Sequence, residues 1–163
     1  MKSETKIGYT VLRYVHDIAT QEFVNIGVLA YAPDSRQLKL KCSNHLRRVH
    51  ALFPDADSKR LSGLIRHVQD AFDTYACRLA DVASGESIPE EVMKAASRVL
   101  PSDSSALQWS APAGGYAESL NVALGKAFHR YVHLHEHAVR AKRSRGISAV
   151  LNPFKLELQP VMR

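Results

Sequence analysis

Near the start of the chain, apolar residues gather into three runs separated by two short polar breaks: IGYTVLRYVH over residues 7–16, EFVNIGVLAY over 22–31 and QLKLKC over 37–42. The first run is apolar on both faces around Val11, Leu12 and Val15, which predicts a central strand covered on both sides. The third alternates strictly, Leu38, Leu40 and Cys42 against Lys39 and Lys41, and predicts a strand with one wet face nearer the edge of a sheet. The break Asp17 to Gln21 is short enough to join antiparallel neighbours. The second break predicts a turn, because Pro33 presets φ and Asp34 can bond the backbone ahead of it.

Beyond residue 43 the period changes to that of helices. Ser43 or Asn44 is placed to cap a short helix with Leu46, Val49, Leu52 and Phe53 on one stripe, ended by Pro54. A longer helix is predicted from Asp57, burying Leu61, Leu64, Ile65, Val68, Phe72, Tyr75 and Leu79. Ser87-Ile-Pro-Glu90 reads as a capping box and predicts a third helix from Pro89 to Leu100. Ala106 to Ser110 predicts a short strand in which Trp109 is a packing anchor. The last helix is expected over residues 117–142, with Leu120, Leu124, Ala127, Tyr131, Leu134 and Ala138 buried and Lys126, His129, His133, Glu136, His137 and Arg140 facing solvent. Pro153 to Leu158 alternates and reads as a closing strand, after a flexible segment over 140–146. The elements add up to one α+β domain over residues 1–163, a mostly antiparallel sheet of about five strands with helices packed on it.

Composition narrows the picture only a little. The 163 residues suffice for one core without metals or disulfides, and Cys42 and Cys77 form no metal-ligand spacing. No apolar run approaches a membrane span, and the start MKSETKIGYT has no secretory pattern, so a cytoplasmic protein with no membrane role and no cofactor is expected. A net charge of +6 biases the chain toward acidic partners.

The polar interruptions of the strands are the candidate chemistry. Arg13, Glu22 and Asn25 could form a recognition or catalytic cluster, with Arg13 binding an anion and Glu22 acting as base. The same residues also read as a buried Arg13–Glu22 ion pair with an asparagine satisfying a sheet irregularity at Gly27, and the lack of a nucleophile at a meaningful spacing favours that reading. A restriction-type nuclease arrangement around Pro33-Asp34 fails because Lys39 stands where a metal-binding carboxylate is needed. Three histidines, His129, His133 and His137, repeat every fourth residue; spread over ~12 Å, they cannot share one ion, which leaves His133 and His137 as the candidate metal pair. Candidate phosphate contacts are Lys126, His129, Arg130, Arg140, Lys142, Arg143 and Arg145, with Arg47 and Arg48 as a second basic group.

Tyr9-Thr-Val-Leu-Arg-Tyr-Val-His-Asp17, Glu22-Phe-Val-Asn-Ile-Gly-Val-Leu29 and Asn44-His-Leu-Arg-Arg-Val-His-Ala-Leu-Phe-Pro-Asp55 together resemble the bacterial domain-of-unknown-function family number 3037. That family's pattern has an Arg-Tyr strand, a Glu-Phe-Val-Asn-Val-Gly-Val strand, a Pro-Asp turn and an arginine shortly before Leu-Phe-Pro. Leu107-Gln-Trp-Ser and Phe128 to Val132 resemble its second half, while His16 stands where proline is more frequent. The resemblance carries no reaction. It implies a small companion of kinases resembling the persistence-toxin kinase HipA, in a paired system of bacterial stress or phage defence. The leading expectation is therefore a non-enzymatic binding or regulatory subunit with a protein partner. Nucleic-acid binding through the basic last helix is the alternative, and a metal-dependent hydrolase centred on Glu22 or the histidine pair is a further one.

Overall fold

The first two runs form a long hairpin, β1 (Thr5–Asp17) and β2 (Glu22–Ala32), and β3 (Gln37–Cys42) adds antiparallel to the far side of β2. The computed structural model describes residues 3–101 and 105–136. On the other side of β1 lie two short strands, β4 (Leu107–Trp109) against Leu12–Tyr14 and β5 (Ala113–Ala117) against Thr5–Tyr9. Between them the Ser110 N–H donates to the Val11 carbonyl, while the Ser110 hydroxyl oxygen accepts from the Val11 N–H at 2.9 Å. A side chain thus replaces the backbone acceptor where Ala111-Pro112 interrupts the ladder, and buried Thr10 donates to the Ser110 carbonyl at 2.8 Å.

Helices cover both faces of the sheet. Leu12, Val24, Ile26, Leu29, Tyr31, Leu38 and Leu40 pack with α1 (Arg47–Leu52), α2 (Ser58–Ala80) and α3 (Val92–Val99). On the opposite face, Ile7, Val11, Val28, Ala30 and Ala32 pack with α4 (Leu120–Phe128), which runs through a π-helical turn at His129–His133 as far as Glu136. Each large side chain buried in these layers, such as Phe72 or Leu79, contributes about 1.5–3 kcal/mol by leaving water.

One bulge decides which residues face which layer. Leu12 lies opposite Gly27 and Arg13 opposite Asn25, so Ile26 is one residue too many in β2. Without that insertion, strict alternation would turn Asn25 into the apolar layer under α2. With it, Val24 and Ile26 join Leu29 and Tyr31 there, and Asn25 faces α4. Gly27 is required beside it, since a Cβ would lie 2.9 Å from Cys42 Sγ and 3.0 Å from the Lys41 carbonyl oxygen.

Several expectations are corrected. Neither Ser43 nor Asn44 caps α1, whose N-cap is Leu46 with no side-chain bond. Helix α3 begins at Val92, because Ser87 is held by Arg98 at 2.6 and 2.7 Å and Glu90 pairs with Lys94 at 2.8 Å. In α2, Asp57 is the N-cap, with its carboxylate accepting from the Arg60 N–H, but Leu64 is 38% exposed. The last helix starts at Leu120, capped by Ser119, because Ala117 belongs to β5, a strand the sequence pattern did not predict.

The π turn produces the largest correction. Its wider winding has the Leu134 N–H bond the His129 carbonyl five residues back, which rotates the helical residues beyond it. Val132 and Glu136 are buried, Tyr131 is half-buried against the core, and Leu134 is 52% exposed. Glu136, expected in solvent, is 8% exposed. The expected strand at 153–158, the segment 140–146 and the residues His137, Ala138, Arg140, Lys142, Arg143 and Arg145 lie outside the described residues.

Candidate functional site

A polar cluster forms where β2, β3, α1 and the π turn meet. Ser43 leaves the end of β3 with its N–H on the Ile26 carbonyl at 2.8 Å, so the bulge residue also anchors the strand's exit. Its hydroxyl reaches both the Glu136 carboxylate and, at 2.7 Å, the His45 carbonyl. His45 Nε2 stands 3.6 Å from the same carboxylate. From α1, Arg48 donates to the Asn25 carbonyl at 3.5 Å, covering a backbone acceptor that β3 no longer reaches. Burial pushes the Arg48 guanidinium below its ordinary pKa, and the nearby Glu136 carboxylate opposes that shift. Asn25 in turn donates to the Tyr131 carbonyl within the π turn at 3.3 Å.

The expected Arg13–Glu22 pair does not form. Glu22 is exposed at the hairpin end opposite Asp17, whereas Arg13 lies opposite Asn25, further from the turn, and stacks its guanidinium 4.1 Å above the Phe23 ring. Of the three candidates, the structure therefore brings Arg13 and Asn25 together and leaves Glu22 apart. Arg13 Nε and Asn25 Oδ1 are buried and have no hydrogen-bond partner among the described residues.

The basic candidates divide among different surfaces. Lys126 and Arg130 line a cleft of about 480 Å³ beside β5, together with Tyr9, Tyr116 and Tyr131. The hydroxyls of Tyr9 and Tyr131 stand 3.4 Å apart, and this contact and then burial raise the pKa of Tyr9. The rings of His129 and His133 lie 5.5 Å apart, and among the described residues no three His, Cys, Asp or Glu side chains converge as a metal site. Arg47 lines a separate cleft of about 480 Å³ near His50 and Arg66, while Arg48 is committed to the polar cluster.

A cleft of about 670 Å³ runs beside β3 between Gln69 of α2 and Asn121, Gly125 and Phe128 of α4. Lys39 and Lys41 enter it, and Lys41 Nζ stands 4.6 Å over the Phe128 ring. At its floor the Cys42 thiol is pushed up to about 12 by burial, so it stays protonated at neutral pH.

Sequence reasoning missed Ser43, His45 and Glu136 as members of one site. The available signal was the step of four through Leu124, Phe128, Val132 and Glu136, a stripe that competes with the one through Tyr131 and Leu134 and is the one the structure buries.

These features define an α+β domain with an Arg/Asn/Ser/His/Glu cluster at one end of an antiparallel sheet, in which Ser43, His45, Arg48 and Glu136 are paired within the cluster. The chain matches the model of the family described as proteins of unknown function (DUF3037) over residues 9–132, and it belongs to that family. No curated protein and no solved structure matches it. Among the described residues no helix is long and apolar enough to cross a membrane.

Proposed function

We propose that the protein is a non-enzymatic binding or regulatory subunit of a bacterial paired system, with a HipA-like kinase as its partner in stress or phage defence. The observation that carries this reading is how the polar cluster spends its groups. Glu136 is taken up by Ser43 and His45 beside Arg48, and Arg48 by the Asn25 carbonyl. Side chains that satisfy one another rigidify a scaffold, whereas a general base needs a lone pair facing its substrate. The kinase as partner rests on the family resemblance. Affinity capture of the full chain from its native host tests the proposal: a stoichiometric kinase-like protein supports it, and recovery of nucleic acid alone overturns it.

Nucleic-acid binding is the second reading, favoured by the cleft beside β5, where Lys126 and Arg130 stand with three tyrosines. Basic side chains beside an exposed ring, here Tyr116 next to the half-buried Tyr9 and Tyr131, are the ingredients of a single-strand platform. A gel-shift series at rising salt checks it with the Lys126→Gln/Arg130→Gln variant. Unchanged retardation would move the contact elsewhere, and none at low salt would end this reading.

A further inference from the structure

The outer edge of β3 lies at the bottom of a continuous groove. The cleft of about 670 Å³ shares Lys39 and Asn121 with a cleft of about 280 Å³ toward Arg36, and shares Asn44, His45 and Gln69 with the cleft near Arg47. Helix α2 forms one wall and α4 the other.

The floor is backbone. Ser43 donates its N–H to Ile26 of β2, so by alternation Lys41, Lys39 and Gln37 direct their N–H and C=O groups toward β2. The N–H and C=O groups of Leu38, Leu40 and Cys42 then face outward, and no backbone partner takes them among the described residues. Such an edge is a template for an added strand.

Charge selects the occupant. Arg36, Lys39, Lys41, Arg47 and Arg66 line the three clefts and form no ion pair among the described residues. The lining carboxylate, Glu136, is already engaged by Ser43 and His45. Lys39 and Lys41 lie on the α4 side, while the α2 side offers Ala76 and Ala80. A strand entering the groove would place alternate side chains on these two sides.

We propose that this groove binds an extended acidic segment of a partner protein, added as a strand to β3, with carboxylates at alternate positions facing Lys39 and Lys41 and small apolar side chains facing α2. This deepens the binding-subunit reading and rests on it. Backbone donors and acceptors on the floor match a peptide rather than a sugar–phosphate chain.

The test uses the full chain and a short fluorescein-labelled peptide alternating Glu with Val. Its comparison probes are the Lys/Val peptide and a single-stranded oligonucleotide, and circular dichroism checks that each variant folds. The Glu/Val peptide should bind, and Lys39→Glu/Lys41→Glu should weaken it at least about tenfold. If that variant misfolds, Lys39→Gln/Lys41→Gln should still weaken it about threefold. Equal binding of the oligonucleotide or the Lys/Val peptide would overturn the proposal. Self-association lost in the variant, without peptide binding, would give the groove to a second copy and overturn it equally. Capture of the native partner unchanged by the variant would overturn the groove while leaving the binding-subunit reading standing; failure to capture any partner would sink that reading itself.

Discussion

The two edges of the sheet end in opposite ways. At β3 the edge is regular, recessed between α2 and α4, and flanked by lysines. On the far side of β1, the edge is broken into β4 and β5 by Ser110-Ala111-Pro112. Its two flanking clefts are mixed in sign: Glu90, Glu91 and Lys6 line one, and Glu4, Glu118, Lys126 and Arg130 the other. Proline and a side-chain substitute for a ladder bond are devices that blunt an edge against pairing. The chain protects one edge by breaking it and shelters the other inside a groove, where pairing is confined to a segment that fits between two helices.

The largest expected effect comes from forcing the sheltered edge apart. Gly27→Val drives a side chain into Cys42 Sγ and the Lys41 carbonyl, and should cost about 3 kcal/mol, lowering Tm by roughly 6–12 °C with β3 displaced from β2. Thermal unfolding with near-ultraviolet circular dichroism measures it; an unchanged Tm would mean that β3 does not need its close approach. Glu136→Ala comes next, because it strips Ser43 and His45 of their shared acceptor and takes the negative charge away from Arg48 where the groove meets α1. A loss of about 2 kcal/mol in urea unfolding is expected. At the broken edge, Ser110→Ala removes the acceptor of the Val11 N–H and should cost about 1 kcal/mol while leaving capture of the partner untouched.

The remaining effect is confined to alkaline pH and is a titration. Burial raises the Cys42 thiol from its ordinary 9.0 to about 12, so the folded chain keeps a proton that the unfolded chain gives up. Stability from this group is complete below about pH 9 and declines as pH rises toward about 12. Urea midpoints across that window should fall more steeply for the native chain than for Cys42→Ala, and parallel slopes would mean that the thiol is not buried.

Much of this architecture was legible in the residues. Leu38, Leu40 and Cys42 alternate with Lys39 and Lys41, and that pattern alone placed β3 at an edge with one wet face. The clash of Asn25 and Gly27 with their apolar neighbours announced an irregularity, and the bulge lies there. What could not be read was its consequence. The register sets Arg13 opposite Asn25 and Glu22 opposite Asp17 at the turn, and Glu22 is exposed, so replacing Arg13 strands no buried carboxylate. The π turn was equally hidden, because a straight helix assumed through Tyr131 and Leu134 sends Glu136 to solvent, and only packing against Lys41, Asn25 and Ser43 makes the extra residue worthwhile. The β5 run Ala-Gly-Gly-Tyr-Ala carries no apolar period, and its pairing depends on glycine: a Cβ on Gly114 would sit 2.7 Å from the Ile7 carbonyl.

Amide hydrogen exchange along β3 tests the central claim most directly. In the free chain the outward amides of Leu38, Leu40 and Cys42 should exchange quickly, while those of Lys39 and Lys41, bonded to β2, are protected. On adding the captured partner, or the Glu/Val peptide, the three outward amides should slow together and those of β5 should not change. Protection that appears at β5 instead, or three outward amides already protected before any partner is added, would contradict the account.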